Sequence, residues 1–120
     1  MKILTCHCRQ VEAEIKIPDK LEKVIKCNCS ICKRKGAFMA MVKNEDFKIT
    51  KGKEKLSLYQ FHSNVAKHYF CSNCGIYTHH NPRSNPSMTG FNLGCIDSID
   101  TFKIENTGLN DGQNHPLDKK

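Results

Sequence analysis

Seven of the eight cysteines in this chain fall into three tight groups, and no other feature of the sequence restricts the fold as strongly. Cys6 and Cys8 lie in "CHC", Cys27, Cys29 and Cys32 in "CNCSIC", and Cys71 and Cys74 in "CSNCG", while Cys95 stands alone. Two thiols one residue apart leave the backbone from nearly the same place, which strains a disulfide between them and suits convergence on one ion. The amino-terminal "MKILTCHC" has too short an apolar run for a signal peptide, and no segment approaches the length of a membrane span. A cytoplasmic, reducing setting with the cysteines on metal is therefore the expectation.

Composition shows why the chain needs such help. Its 120 residues make one domain, residues 1–120, but only 38 % are hydrophobic, 8 % are aromatic and none is Trp, so the apolar core is modest. The formal charge of +7 would ordinarily suggest an acidic partner. Seven thiolates on two divalent ions, however, carry three net negative charges and bring the folded chain near +4. Much of the basic excess is then internal compensation, and a nucleic-acid partner is not expected on charge alone.

The chain reads as mainly β with little helix. In "VEAEIKI", residues 11–17, Val11, Ala13, Ile15 and Ile17 alternate with charged residues, the period of a strand with one wet face, and Pro18 and Asp19 end it. Further strands are expected at 37–42, 46–50, 56–62, 66–70, 76–80 and 87–96, with turns at "KNED" and "KGKEK" and a surface loop at "NPRSNP". No window supports a helix of ten residues; a single helical turn fits "IDSID", 96–100. From Thr107 onward the composition predicts a flexible tail, 107–120.

A C-x-x-C turn delivers two thiolates to a tetrahedral ion while its backbone N–H groups donate to the sulfurs, and Gly75 after "CSNC" allows the chain to turn through positive φ. That knuckle needs a second pair. Cys6 and Cys8 are the natural partners, although Cys27 and Cys29 could exchange places with them. Cys27, Cys29 and Cys32 would then be left as three ligands, the number characteristic of a catalytic zinc that keeps one corner for substrate. Cys95 or one of His7, His62, His68, His79 and His80 could instead close that corner and make the site structural; otherwise Cys95 is a small buried residue in a strand. Lys26, Lys33, Arg34 and Lys35 around the triplet either balance its charge, hold the carboxylates of a thiol substrate, or form a solvated face.

Together, "CHC", "CNCSIC", "FCSNCG" and the late "CID" resemble the family of glutathione-dependent formaldehyde-activating enzymes, which includes the centromere protein V relatives. The resemblance runs over nearly the whole chain and reaches "DGQNHP", 111–116. It implies a β-tent fold of short antiparallel sheets with two zinc ions per chain. Cys6, Cys8, Cys71 and Cys74 match the structural ligands, and Cys27, Cys29 and Cys32 match the three-thiolate, catalytic site. The implied reaction is a carbon–sulfur lyase step that joins glutathione, or a similar small thiol, to formaldehyde or another aldehyde as an S-hydroxymethylglutathione-type adduct. In this reading Lys33, Arg34, His79 and His80 bind the anionic thiol. A zinc-scaffolded module for binding protein or nucleic acid, and a thiol-based redox or metal sensor, are the alternatives. The basic residues lack the interleaved aromatics of single-strand binders.

Overall fold

The alternation in "VEAEIKI" is realised in strand β2 (Glu12–Ile15), where Ala13 and Ile15 are fully buried and Glu12 and Glu14 remain half-exposed. This is seen in a computed structural model that describes residues 1–17, 23–105 and 107–110. Strand β2 lies between β1 (Lys2–Thr5) and β5 (Phe47–Lys51) in a three-stranded antiparallel sheet. A second sheet has seven strands in the order β10 (Gly108–Asn110), β3 (Ile25–Cys27), β4 (Met39–Lys43), β9 (Met88–Asn92), β8 (Tyr77–Asn81), β7 (Lys67–Cys71) and β6 (Leu56–Tyr59). All its pairings are antiparallel except that of β10 with β3. One short α-helix, α1 (Ser30–Lys35), follows β3 among the described residues.

The two sheets meet through one apolar cluster. Leu4, Ala13 and Ile15 come from the smaller sheet, Ala40, Val42 and Phe91 from the larger, and Leu93 and Ile96 from the chain just beyond β9. Since side chains alternate along a strand, the neighbours of these core residues face the other way. Met39 accordingly joins a separate cluster with Cys32 and Tyr77 on the outer face of the seven-stranded sheet. One face of that sheet therefore stabilises the fold, and the other is available for chemistry.

Several expectations are corrected in detail. The segment expected as one strand over 87–96 leaves the sheet at Asn92, whose side chain accepts from the Gly94 N–H and starts a 3-10 turn, Leu93–Cys95. Cys95 is thus in a turn and not a strand, though buried as expected. Gly108–Asn110, within the tail read from composition, form strand β10 and pair beside β3 in parallel, with the Gly108 N–H donating to the Val24 carbonyl at 2.8 Å. Strands β1 and β3 were too short to carry a periodic signal. The turns at "KNED" and "KGKEK" become the 3-10 turns Asn44–Asp46 and Lys53–Lys55, and "IDSID" makes one turn, with the Ile99 N–H on the Ile96 carbonyl. Pro18, Asp19 and 111–120, including "DGQNHP", lie outside the described residues. No helix among the described residues is long and apolar enough to cross a membrane.

Phe91 is the largest fully buried side chain and touches both sheets' cluster. Phe91→Ala is expected to lower the unfolding free energy of the metal-loaded protein by about 3–5 kcal/mol in urea titrations. A loss below about 1 kcal/mol would show that the sheets are not held through this cluster.

Candidate metal centres and the adjoining groove

Strand β1 runs directly into Cys6, and a tight turn brings the chain back: the Arg9 N–H bonds the Cys6 carbonyl at 3.1 Å, with Arg9 at φ 64°. The Val11 N–H then donates to the Cys6 sulfur at 3.3 Å, a bond that favours a thiolate. The partner pair comes from the other sheet, where Cys71 ends β7 and the knuckle closes with Gly75 at φ 76°, its N–H on the Cys71 carbonyl at 2.7 Å. The positive φ read from the sequence is the one found. All four sulfurs of Cys6, Cys8, Cys71 and Cys74 lie within 4.8 Å of one another.

Those distances can be tested against a metal. Four sulfurs at about 2.3 Å from a tetrahedral Zn²⁺ are about 3.8 Å apart, and the Cys6–Cys8 and Cys8–Cys71 sulfur pairs are separated by 3.6 and 3.7 Å. The donor set fits a closed thiolate site that ties the end of β1 to the end of β7. None of the eight cysteines is in a disulfide.

The second group is built on α1. Cys27 ends β3; Cys29 is the helix N-cap, its sulfur accepting from the Cys32 N–H at 3.4 Å, and Cys32 is buried in the helix. The helix ends after six residues at Gly36, whose N–H bonds the Cys32 carbonyl, and Lys33, Arg34 and Lys35 lie in its last turn, where the helix dipole favours cations. The three sulfurs lie within 4.8 Å of one another, and no fourth Cys, His, Asp or Glu among the described residues joins them. Cys95, weighed above as a fourth ligand, instead donates to the Tyr77 carbonyl at 3.6 Å, and burial pushes its thiol up to about 12. Within the triplet, hydrogen bonds among the sulfurs raise Cys32 and lower Cys29, as expected of thiols crowded enough to share protons.

Next to the triplet lies a buried polar cluster. Lys35, one helical turn beyond Cys32, places its Nζ 2.8 Å from Nδ1 of His68 and 3.8 Å from the centre of the Tyr77 ring. Burial lowers Lys35 to about 8 against the pull of the three thiolates, so it is still charged at neutral pH. The Tyr77 hydroxyl reaches Nδ1 of His80 at 2.5 Å, and the His68 and His80 rings stack with centroids 5.7 Å apart. A bulge makes this arrangement. His68 pairs with His80 and Tyr69 with His79, but Phe70 pairs with Tyr77, so Thr78 is an extra residue on β8. The shift puts Tyr77 and His80, three residues apart, on the same face as His68.

The same pairing separates the two histidines named from the sequence. His80 lines a groove of about 1290 Å³ together with His68 and all three triplet cysteines. His79 does not: its ring packs between Tyr69 at 4.5 Å and Phe47 at 4.6 Å, toward the inter-sheet core. Lys33 and Arg34 are exposed on the groove wall, Arg34 donating to the Ser30 carbonyl at 2.8 Å. Lys35 is turned inward, so the "KRK" run does not form one continuous basic face. Of the two uses the sequence offers for Lys35, charge balance or a hold on substrate carboxylates, the inward turn fits the first, and His68, weighed as a fourth ligand, does not join the three sulfurs; Tyr77 carries no sequence signal of its own, whereas the i, i+3 spacing of Cys32 and Lys35 on a helix is a local one.

A family model described as glutathione-dependent formaldehyde-activating enzyme matches residues 1–108. The chain belongs to that family. A solved structure agrees: the crystal structure of a Rhodobacter sphaeroides protein is 38 % identical, superposes with a TM-score of 0.85, and covers 90 % of this chain and 99 % of its own. Membership supports glutathione-dependent formaldehyde activation in general terms, a role of carbon–sulfur lyase type.

The two centres should differ in what they hold together. Binding of structural zinc contributes about 10–16 kcal/mol in small domains, as much as the whole stability of a typical fold, about 5–15 kcal/mol. Cys74→Ser is expected to lose one ion and cooperative thermal unfolding, whereas Cys32→Ser loses one ion and keeps it; metal analysis with circular dichroism reads both. Equal effects on unfolding would refute the division.

Burial holds His79 at about 4, well below its ordinary 6.5. Unfolding lets it take up a proton between those values, so stability present above pH 6.5 is lost as pH falls toward 4. His79→Gln should flatten the slope of unfolding free energy against pH in that window relative to the parent chain, by up to about 1.4 kcal/mol per pH unit. Parallel slopes would show that His79 is already charged in the fold.

Proposed function

We propose that this chain is a two-zinc carbon–sulfur lyase that joins glutathione, or a similar small anionic thiol, to formaldehyde or another small aldehyde as an S-hydroxymethyl adduct. The observation that carries the reading is the three-sulfur group of Cys27, Cys29 and Cys32 opening on a groove large enough for such a thiol. Zn²⁺ held by these three residues, with the fourth corner left for substrate, would supply a Lewis acid that lowers the pKa of an incoming thiol.

The chain's own residues supply the rest. Lys33 and Arg34 on the groove wall offer cations to the carboxylates of the thiol, and Arg34 is held by its bond to Ser30. His80 lines the groove and is available to the reacting groups, while His79 is left in the core. The half-buried Lys35 balances the negative charge left when three thiolates surround a divalent ion. In the reaction the thiolate sulfur forms a bond to the carbonyl carbon, the π pair moves to oxygen, and the proton given up by the thiol completes the hydroxyl. A reducing, cytoplasmic setting belongs to this reading because every ligand must remain a thiolate.

Glutathione and formaldehyde combine without an enzyme, so the test is acceleration above that background in exchange NMR. The zinc-loaded chain is expected to accelerate the exchange, and Cys32→Ala, with its structural ion retained, is expected to fall to background. No acceleration by the zinc-loaded chain would reject this pair of substrates. Undiminished acceleration by Cys32→Ala would reject the triplet as the reacting centre.

A further inference from the structure

His68 and His80 form a matched pair, of which the lyase reading leaves His68 without a role and gives His80 only a place beside the reacting groups. They sit opposite each other on β7 and β8, stack nearly parallel at 13°, and both line the groove beside the triplet. Each already has its Nδ1 engaged, His68 by Lys35 and His80 by Tyr77. An ammonium can only donate, so Nδ1 of His68 accepts and the ring's proton sits on Nε2. The Tyr77 hydroxyl has Nδ1 of His80 as its hydrogen-bond partner among the described residues, and a buried phenol O–H donating there leaves the proton of that ring on Nε2 as well.

Gly90 explains how the second ring fits. It pairs with His80 across β8 and β9, and a Cβ placed on it would come within 2.3 Å of His80 Cε1 and 2.8 Å of Nε2. The Cε1 edge of the ring, with its two nitrogens, therefore occupies space that a Cβ at this position would need. Burial keeps both imidazoles uncharged at neutral pH, with His68 at about 4 and His80 at about 3. Two neutral donors in a buried setting are oriented before any substrate arrives, which is the condition under which a donor stabilises developing charge most.

We infer that His68 and His80 are the aldehyde-oxygen site of this enzyme: their Nε2–H groups, fixed as donors by Lys35 and Tyr77, hydrogen-bond the carbonyl oxygen as the thiolate adds to its carbon. The inference rests on the lyase reading above and adds the second substrate's subsite to it. As the C–S bond forms and the π pair moves to oxygen, the two N–H groups stabilise the negative oxygen. Water in the groove then returns the thiol's proton to make the hydroxyl, and both imidazoles keep their own. Lys35 and Tyr77 are positioning residues, since they act by fixing which nitrogen carries the proton.

The tautomers are read directly by ¹⁵N-histidine NMR on the zinc-loaded protein, without any substitution. Nε2–H is expected at both rings, and Lys35→Met is expected to convert His68 to a mixture of tautomers. An Nδ1–H tautomer at either ring in the unsubstituted protein overturns the inference whatever the turnover. In exchange NMR, His68→Phe and His80→Phe, each with two zinc ions bound, are expected to lose at least about tenfold of the acceleration. His80→Gln, which returns an N–H donor near Nε2, is expected to recover part of it. Acceleration within twofold of the parent in both Phe variants would discard the aldehyde site and leave the lyase reading standing. No acceleration by the parent chain would discard both.

Discussion

Four sulfurs from distant parts of the chain form the joint on which the rest of the structure depends. Cys6 and Cys8 leave the end of the three-stranded sheet, and Cys71 and Cys74 leave the seven-stranded one. Closing a loop of more than sixty residues costs chain entropy that a modest core does not easily offset. Four thiolates within 4.8 Å of one another also repel unless a cation sits among them. A metal ion held by these four sulfurs would remove both difficulties at once, and its binding energy would become folding energy.

With the sheets joined, the larger one has two faces with different tasks. Ala40, Val42 and Phe91 face the smaller sheet and complete the core, whereas Met39, Tyr77, His68 and His80 belong to the outer side around the second cysteine group. Strand alternation divides β8 between these tasks, with His79 in the core between Phe47 and Tyr69 and His80 in the groove over Gly90. The bulge at Thr78 then brings Tyr77 to the side of His80. A helix too short to be stable alone adds Cys29, Cys32 and Lys35 to the same place.

Much of the fold was legible because the signals were local. The alternation around Ala13 and Ile15 reflects burial on one side of a strand, and "CSNCG" carries its own turn geometry. The pairing of Cys6 and Cys8 with Cys71 and Cys74 was also readable, since a knuckle supplies only two of four ligands. Less was readable at the groove. The parallel pairing of Gly108–Asn110 with β3 depends on a neighbour more than eighty residues away, and three residues carry no period. Equally, nothing near "AKHYF" indicates that His68 accepts from Lys35, because that contact spans thirty-three positions.

By itself, then, the sequence determined a mainly β chain with two cysteine groups able to hold metal, four sulfurs in one and three in the other, because ligand spacing and strand period are properties of neighbouring residues. Only the tertiary structure decided which histidine reaches the groove, which way Lys35 turns, and that Gly90 makes room for a ring. Those outcomes depend on strand register and on one extra residue in β8, and register is set by the packing of whole sheets, which no short stretch of sequence contains.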